Sequence, residues 1–153
     1  MPDFVLLGRS FRAKGGLFAN DYHARVIASK DAFYLVVYLS PAESGAMLAG
    51  GMGLIGGLMA AAGAALSDDR IKRGVVKLSE LPAEVTNHPD WPLRGVRKDY
   101  PVAVIPRAEV KQIRYSWWRT FDIITPDQTF CVGPRTFGRG RVLKQMREWG
   151  WEF

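Results

Sequence analysis

From Ser44 to Ser67 the chain carries no charged residue, and between those two serines it uses only Gly, Ala, Leu, Met and Ile. The run is long enough to cross a bilayer, which takes about 20 apolar residues. It is also too rich in glycine to be stable alone as a helix in water. Seven glycines would each cost a helix roughly 1 kcal/mol relative to alanine. Close packing or an apolar medium has to compensate. Taken every fourth residue from the start, the run reads Gly45, Ala49, Gly53, Gly57, Ala61 and Ala65, all small. Residues four apart share one face of a helix. The face is then a smooth groove that lets another backbone approach, as in the small-xxx-small packing of membrane helices. Leu48, Met52, Ile55 and Met59 line a bulkier neighbouring face. The six small residues are therefore the expected membrane or helix-packing positions. A buried hairpin within the domain, or a loop, are the competing readings of the same composition.

Both flanks of this run are rich in β-formers. Tyr22 to Ser29 (YHARVIAS) and Ala32 to Leu39 (AFYLVVYL) are β-branched and aromatic, with Lys30-Asp31 between them, which predicts an antiparallel hairpin. A further strand is expected around Phe4 to Phe11. Beyond the run, strands are expected at Val102–Ile105, Glu109–Tyr115, Arg119–Thr125 and Thr129–Val132, with turns at Ser116-Trp117-Trp118 and Pro126-Asp127-Gln128. Val142, Leu143, Met146, Trp149 and Phe153 recur at helical spacing, predicting a closing amphipathic helix. Residues 68–100, with Pro82, Pro89 and Pro92, read as a Pro-containing linker with one helical turn near Pro82-Ala83-Glu84-Val85. The expected organisation is thus a β body from residues 1–40 and 101–153, an apolar helical insert at 44–67 and a linker at 68–100. A single straight crossing would put the two β-rich flanks on opposite sides of a membrane. If they share one sheet, the insert must leave and return on the same side. Gly50-Gly51 and Gly56-Gly57 would then break it into two helices, each about 15 Å long.

The stretch Val104-Ile105-Pro106-Arg107-Ala108-Glu109-Val110-Lys111-Gln112-Ile113, followed by two strands and an amphipathic helix, resembles the pattern of bacterial pleckstrin-homology-like domains related to GRAM domains. The resemblance covers residues 22–40 and 101–153, and the glycine-rich insert more loosely. It implies an α+β fold: an antiparallel β-sandwich or barrel closed by a C-terminal helix, with a helical glycine/alanine-rich insert. Such domains are similar to binding platforms for lipids, peptides or proteins and have no catalytic residues to carry over. The family's basic lipid-binding hairpin has Arg9, Arg12 and Lys14 as its nearest counterparts here.

A net charge of +6 and a pI near 9.7 favour anionic partners. The basic residues are scattered, so nucleic acid ranks below a lipid or protein surface. Arg70, Lys72, Arg73 and Lys77, just after the apolar run, suit the anionic cytoplasmic face of a membrane, although Asp68 and Asp69 stand beside them. One cysteine, Cys131, excludes an internal disulfide and a thiolate metal cluster. His23 and His88 lie in no metal-binding spacing, and no acid–base or nucleophile pattern emerges. No enzyme activity, metal or cofactor is therefore expected. Arg135, Arg139 and Arg141, in the glycine-broken stretch before the last helix, are candidate anion or headgroup contacts. Solvated arginines in a loop before the last helix are the favoured reading of the same residues. Trp117 and Trp118 at a hairpin tip are candidate interface aromatics, or ordinary core cover. Function is expected to be that of a non-catalytic binding or adaptor module at the inner face of a membrane, contacting lipid or a membrane protein. The competing expectation is a soluble homo-oligomeric scaffold with the insert packed between subunits.

Overall fold

A computed structural model describes residues 2–14, 21–37, 75–95, 100–115, 121–126, 129–134 and 139–153. Among these residues eight strands are present: β1 Phe4–Lys14, β2 Asp21–Ser29, β3 Ala32–Val37, β4 Val75–Lys77, β5 Pro101–Pro106, β6 Gln112–Tyr115, β7 Phe121–Ile124 and β8 Thr129–Pro134. They form one antiparallel sheet in the order β4-β5-β3-β2-β1-β8-β7-β6. A short helix, α1 Ala83–Thr86, and a closing helix, α2 Arg139–Glu148, complete the α+β architecture. Strands from both sides of the apolar run therefore hydrogen-bond in one sheet. The insert itself, residues 44–67, lies outside the described residues.

The sheet has to curl, and the connection from β5 to β6 shows why. These strands lie six places apart in the sheet, about 29 Å if it were flat. Yet only residues 107–111 join them, and a chain that short reaches at most ~20 Å. Side chains on the concave face report the same bend. The rings of Phe33 (β3) and Phe121 (β7) stand 6.3 Å apart between centroids, although four strand spacings separate their strands. The sheet stays open between its edges β4 and β6.

Curling gathers one main core. Leu7, Phe11, Val26, Phe33, Leu35, Ile105, Phe121, Ile123, Phe130 and Val132 face it from the strands, with Val142, Leu143 and Met146 from α2. Strand β3 is buried at nearly every position because its other face is covered too. Val36, with Ile27 and Val102, belongs to a second cluster on the back of the sheet. This double burial is why AFYLVV reads as an unbroken apolar run.

Gly8 is required by contact and Gly150 by conformation. A Cβ on Gly8 would sit 2.2 Å from the Gly133 carbonyl oxygen and 2.6 Å from Val132, so only glycine lets β1 approach β8 at the irregularity in their pairing. Gly150 adopts φ 84° and stops α2. Its N–H donates to the Arg147 carbonyl, and the Trp151 N–H donates to that of Met146, the paired bonds of a Schellman end. The apolar spacing predicts a helix continuing toward Phe153; instead the chain turns at Gly150 and drops Trp151 into the core.

Arg107 locks this end. Its guanidinium donates to the carbonyls of Lys30, Trp149 and Gly150 at 3.0, 2.9 and 2.7 Å and lies over the Trp151 ring at 4.5 Å. The Trp151 indole N–H in turn donates to the Ser29 carbonyl at 2.9 Å. A cation at a helix C-terminus satisfies carbonyls that have no partner within the helix. Here one side chain ties the β2–β3 turn, the β5–β6 connection and the end of α2 together. Arg107–Glu109 form a 3-10 turn, so the strand expected from Glu109 begins at Gln112.

Candidate functional site

Residues 75–95, expected as linker, instead add edge strand β4 and a layer across the back of the sheet. The prolines limit each helical piece without preventing packing. Leu78–Glu80 make a 3-10 turn. Pro82 precedes α1, and its carbonyl accepts from the N–H groups of Val85 and Thr86. The turn continues through His88 to Trp91 by backbone bonds. Large apolar residues set between these turns, Leu78, Leu81 and Trp91, become buried against Ile27, Val36 and Val102. Trp91 meets Phe4 and Tyr34 edge-on, at 5.3 and 5.5 Å between ring centroids, the arrangement that aromatic quadrupoles favour.

The layer does not close completely. It leaves a cleft of about 410 Å³. Leu78, Leu81, Trp91 and Leu93 supply its apolar surface; Ser79, Thr86, Asn87 and Arg94 supply polar groups. Of the first four, Leu78, Leu81 and Trp91 are buried, so they form the covered wall behind the cleft rather than its open surface. Arg94 lies at the surface, its Nη2 donating to the carbonyls of Pro89 at 3.0 Å and His88 at 3.4 Å. Among the described residues that line the cleft, Arg94 carries the one formal charge.

Beside the layer, Asp3, His88 and Asp90 come together within metal-ligand range of one another. Their hydrogen bonds point to a clamp rather than a metal centre. The Asp90 N–H donates to His88 Nδ1 at 3.1 Å, and His88 Nε2 lies 2.9 Å from Asp3 Oδ2. This pattern assigns the ring proton to Nε2, which donates to Asp3. A metal on Nε2 would push that proton to Nδ1, against the amide. The Asp3 N–H also donates to Asp90 Oδ2 at 2.9 Å, so the start of β1 is fastened to the back layer.

Among the described residues, those singled out from sequence are not brought into one site. Gly45, Ala49, Gly53, Gly57, Ala61 and Ala65 lie outside the described residues, as do Trp117, Trp118 and Arg135. Arg139 is at the start of α2, its guanidinium 5.0 Å over the Tyr115 ring and its Nε donating to the Tyr115 hydroxyl. Arg141 is exposed on the same helix. Cys131 is buried in β8, and His23 lies in β2. Sequence reasoning missed the cleft and the His88 clamp. The available signal was the setting of Leu78, Leu81, Trp91 and Leu93 among three prolines, more large apolar surface than a solvated linker carries.

Among the described residues no helix is long and apolar enough to cross a membrane. Compared with models of protein families, with curated proteins and with solved structures, the chain matches none.

Proposed function

We propose that this chain is a non-catalytic binding module: a pleckstrin-homology-like body that carries the apolar segment 44–67 to the cytoplasmic face of a membrane. The strand order supports the body. With β4 set aside, seven antiparallel strands run β5-β3-β2-β1-β8-β7-β6, curl around one core and are capped by α2, as the family resemblance implies.

One observation carries the placement of the segment. Strands β3 and β4 flank β5 on either side, and both Leu35 and Val75 pair with Ala103. The last described residue of β3 is Val37 and the first of β4 is Val75. These points are two strand spacings apart sideways and about two residues apart lengthwise, or about 12 Å in all. A path with ends that close favours an excursion into one leaflet, or against a partner helix, over a single pass. The small-residue face then provides the packing surface, and the basic residues that follow face anionic headgroups.

Flotation with anionic liposomes tests this reading. The intact protein is expected to float, and a variant lacking residues 45–66 to remain in the dense fraction while keeping its β-sheet circular dichroism. An intact protein that stays dense and monomeric defeats the proposal. An intact protein that stays dense but oligomeric, and becomes monomeric with Gly53→Leu and Gly57→Leu, transfers the segment's role to subunit pairing.

A further inference from the structure

Strand β6 ends the sheet, and basic and aromatic groups gather along it. We infer that β6 accepts an extended acidic segment of another protein as an added strand. Access comes first. No strand among the described residues lies beyond β6. Gln112 and Arg114 on it are exposed, as is Lys111 just before it. An edge strand presents a row of unpaired backbone N–H and C=O groups, and an extended peptide supplies their partners.

The flanks come next. On the concave side, Tyr115 faces α2. The Arg139 guanidinium lies 5.0 Å over its ring and donates to its hydroxyl through Nε. The Phe153 ring meets Tyr115 edge-on at 6.2 Å, and the Arg147 guanidinium lies 4.9 Å over Phe153. Stacking fixes each planar fork by its face and leaves N–H groups at its edge for an acceptor. On the convex side, Arg114 stands across from Asp122 of β7. Among the described residues, neither the Arg114 nor the Arg147 guanidinium makes a hydrogen bond or an ion pair.

Charge decides the partner. A second copy is a poor occupant, because pairing two β6 edges would set Lys111 and Arg114 against the same cations, and like charges across strands are destabilising. An acidic strand places carboxylates beside Arg114 on one face and beside Arg139 and Arg147 on the other. A nucleic acid supplies anions but no row of backbone partners.

The inference does not rest on the apolar segment, so the same result is expected in the protein lacking residues 45–66. Full-length protein is titrated with acetylated, amidated Glu-Val-Glu-Val-Glu-Val, with the matching Lys-Val peptide, and with two N-methylated forms of the first, blocked at every Glu or at every Val. Alternate residues of a strand aim their N–H groups at opposite edges, so one form keeps the pairing edge and the other loses it. The Glu-Val peptide is expected to shift the amide resonances of Gln112–Tyr115 saturably. The Lys-Val peptide should bind at least tenfold more weakly, and one of the two N-methylated forms should lose binding. Arg114→Gln and Arg147→Gln should each weaken binding about threefold, the scale of an exposed ion pair. Arg141→Gln, on another face of α2, should leave it unchanged. Shifts that do not saturate or that map elsewhere, N-methylated forms that behave alike, equal losses from Arg147→Gln and Arg141→Gln, or tighter binding of an oligothymidylate would overturn the inference.

Discussion

The two faces of the sheet are built by different means. On the concave face, residues from seven strands and α2 interdigitate around Phe33, Phe121 and Met146, and the Arg107–Trp151 lock fixes the end of the helix to two turns. On the back, one continuous stretch of short turns lies over Ile27, Val36 and Val102 and is fastened at its side by Asp3 and His88. The concave face draws on contacts distant in sequence, and losing any one weakens the whole. The back layer makes most of its hydrogen bonds within residues 78–95, so it is expected to open while the sheet persists. The concave side is thus expected to respond to perturbation as one unit, and the back layer as a separable cover.

Two tryptophans put the contrast to its hardest test. Trp151→Ala removes a buried ring that contacts Phe33 and should cost about 3–5 kcal/mol, read as a fall in the midpoint of chemical denaturation. Trp91→Ala removes an equally buried ring, yet its main effect should be local. Amide exchange should accelerate across Leu78–Arg94, while protection of β1 and β8 is retained. Equal global losses from the two, with uniform exchange, would show that the back layer is part of the main cooperative unit.

Arg107→Ala sharpens the concave side and should cost about 2 kcal/mol, because it strips charge-assisted bonds from three carbonyls at once. Arg107→Lys should recover less than half of that in denaturant titrations, since an ammonium lacks the planar fork. Full recovery would mean that charge alone, and not the geometry of the lock, matters.

The smallest effect concerns Tyr34, which lies between the sheet and the back layer. Burial raises its hydroxyl pKa above the ordinary 10.0, the Asp31 carboxylate pushes the same way, and a hydrogen bond with Ser29 opposes them. The folded state therefore holds this proton more tightly than the unfolded chain. The resulting stabilisation is fully present below pH 10 and is lost as the pH rises through the raised folded-state value. Tyr34→Phe should flatten that alkaline decline in stability-versus-pH curves. An identical slope in both proteins would mean that the layer does not shield the hydroxyl.

The sequence showed most of the concave side because that side is periodic. Alternation in YHARVIAS and FDII marks the faces of β2 and β7, and the spacing of Val142, Leu143 and Met146 marks the inward side of α2. The helix end was less legible. Trp149 and Phe153 extend an apolar spacing past the point where Gly150, at positive φ, turns the chain. The glycine itself is a stop signal, since glycine is enriched just past helix ends, but the apolar spacing beyond it overrode that signal. The back layer was illegible for a different reason. Pro82, Pro89 and Pro92 truly exclude a long helix, but a series of turns pinned by side chains is not excluded, and it leaves no period to detect. The candidate cleft lies wholly within that layer and shares its obscurity. Gly8 gave no signal at all, since its need is set by Gly133 on a strand more than a hundred residues away.

The nearness of Val37 and Val75 has a consequence for how this fold tolerates added sequence. The ends belong to parallel strands on either side of β5, a crossover that needs about a dozen residues, whereas 37 lie between them. Because closing a loop grows costlier only with the logarithm of its length, the surplus costs about 1 kcal/mol. The sheet is thus almost indifferent to what is spliced between those two strands. The same body can host longer, shorter or chemically different segments there without a redesign of its core.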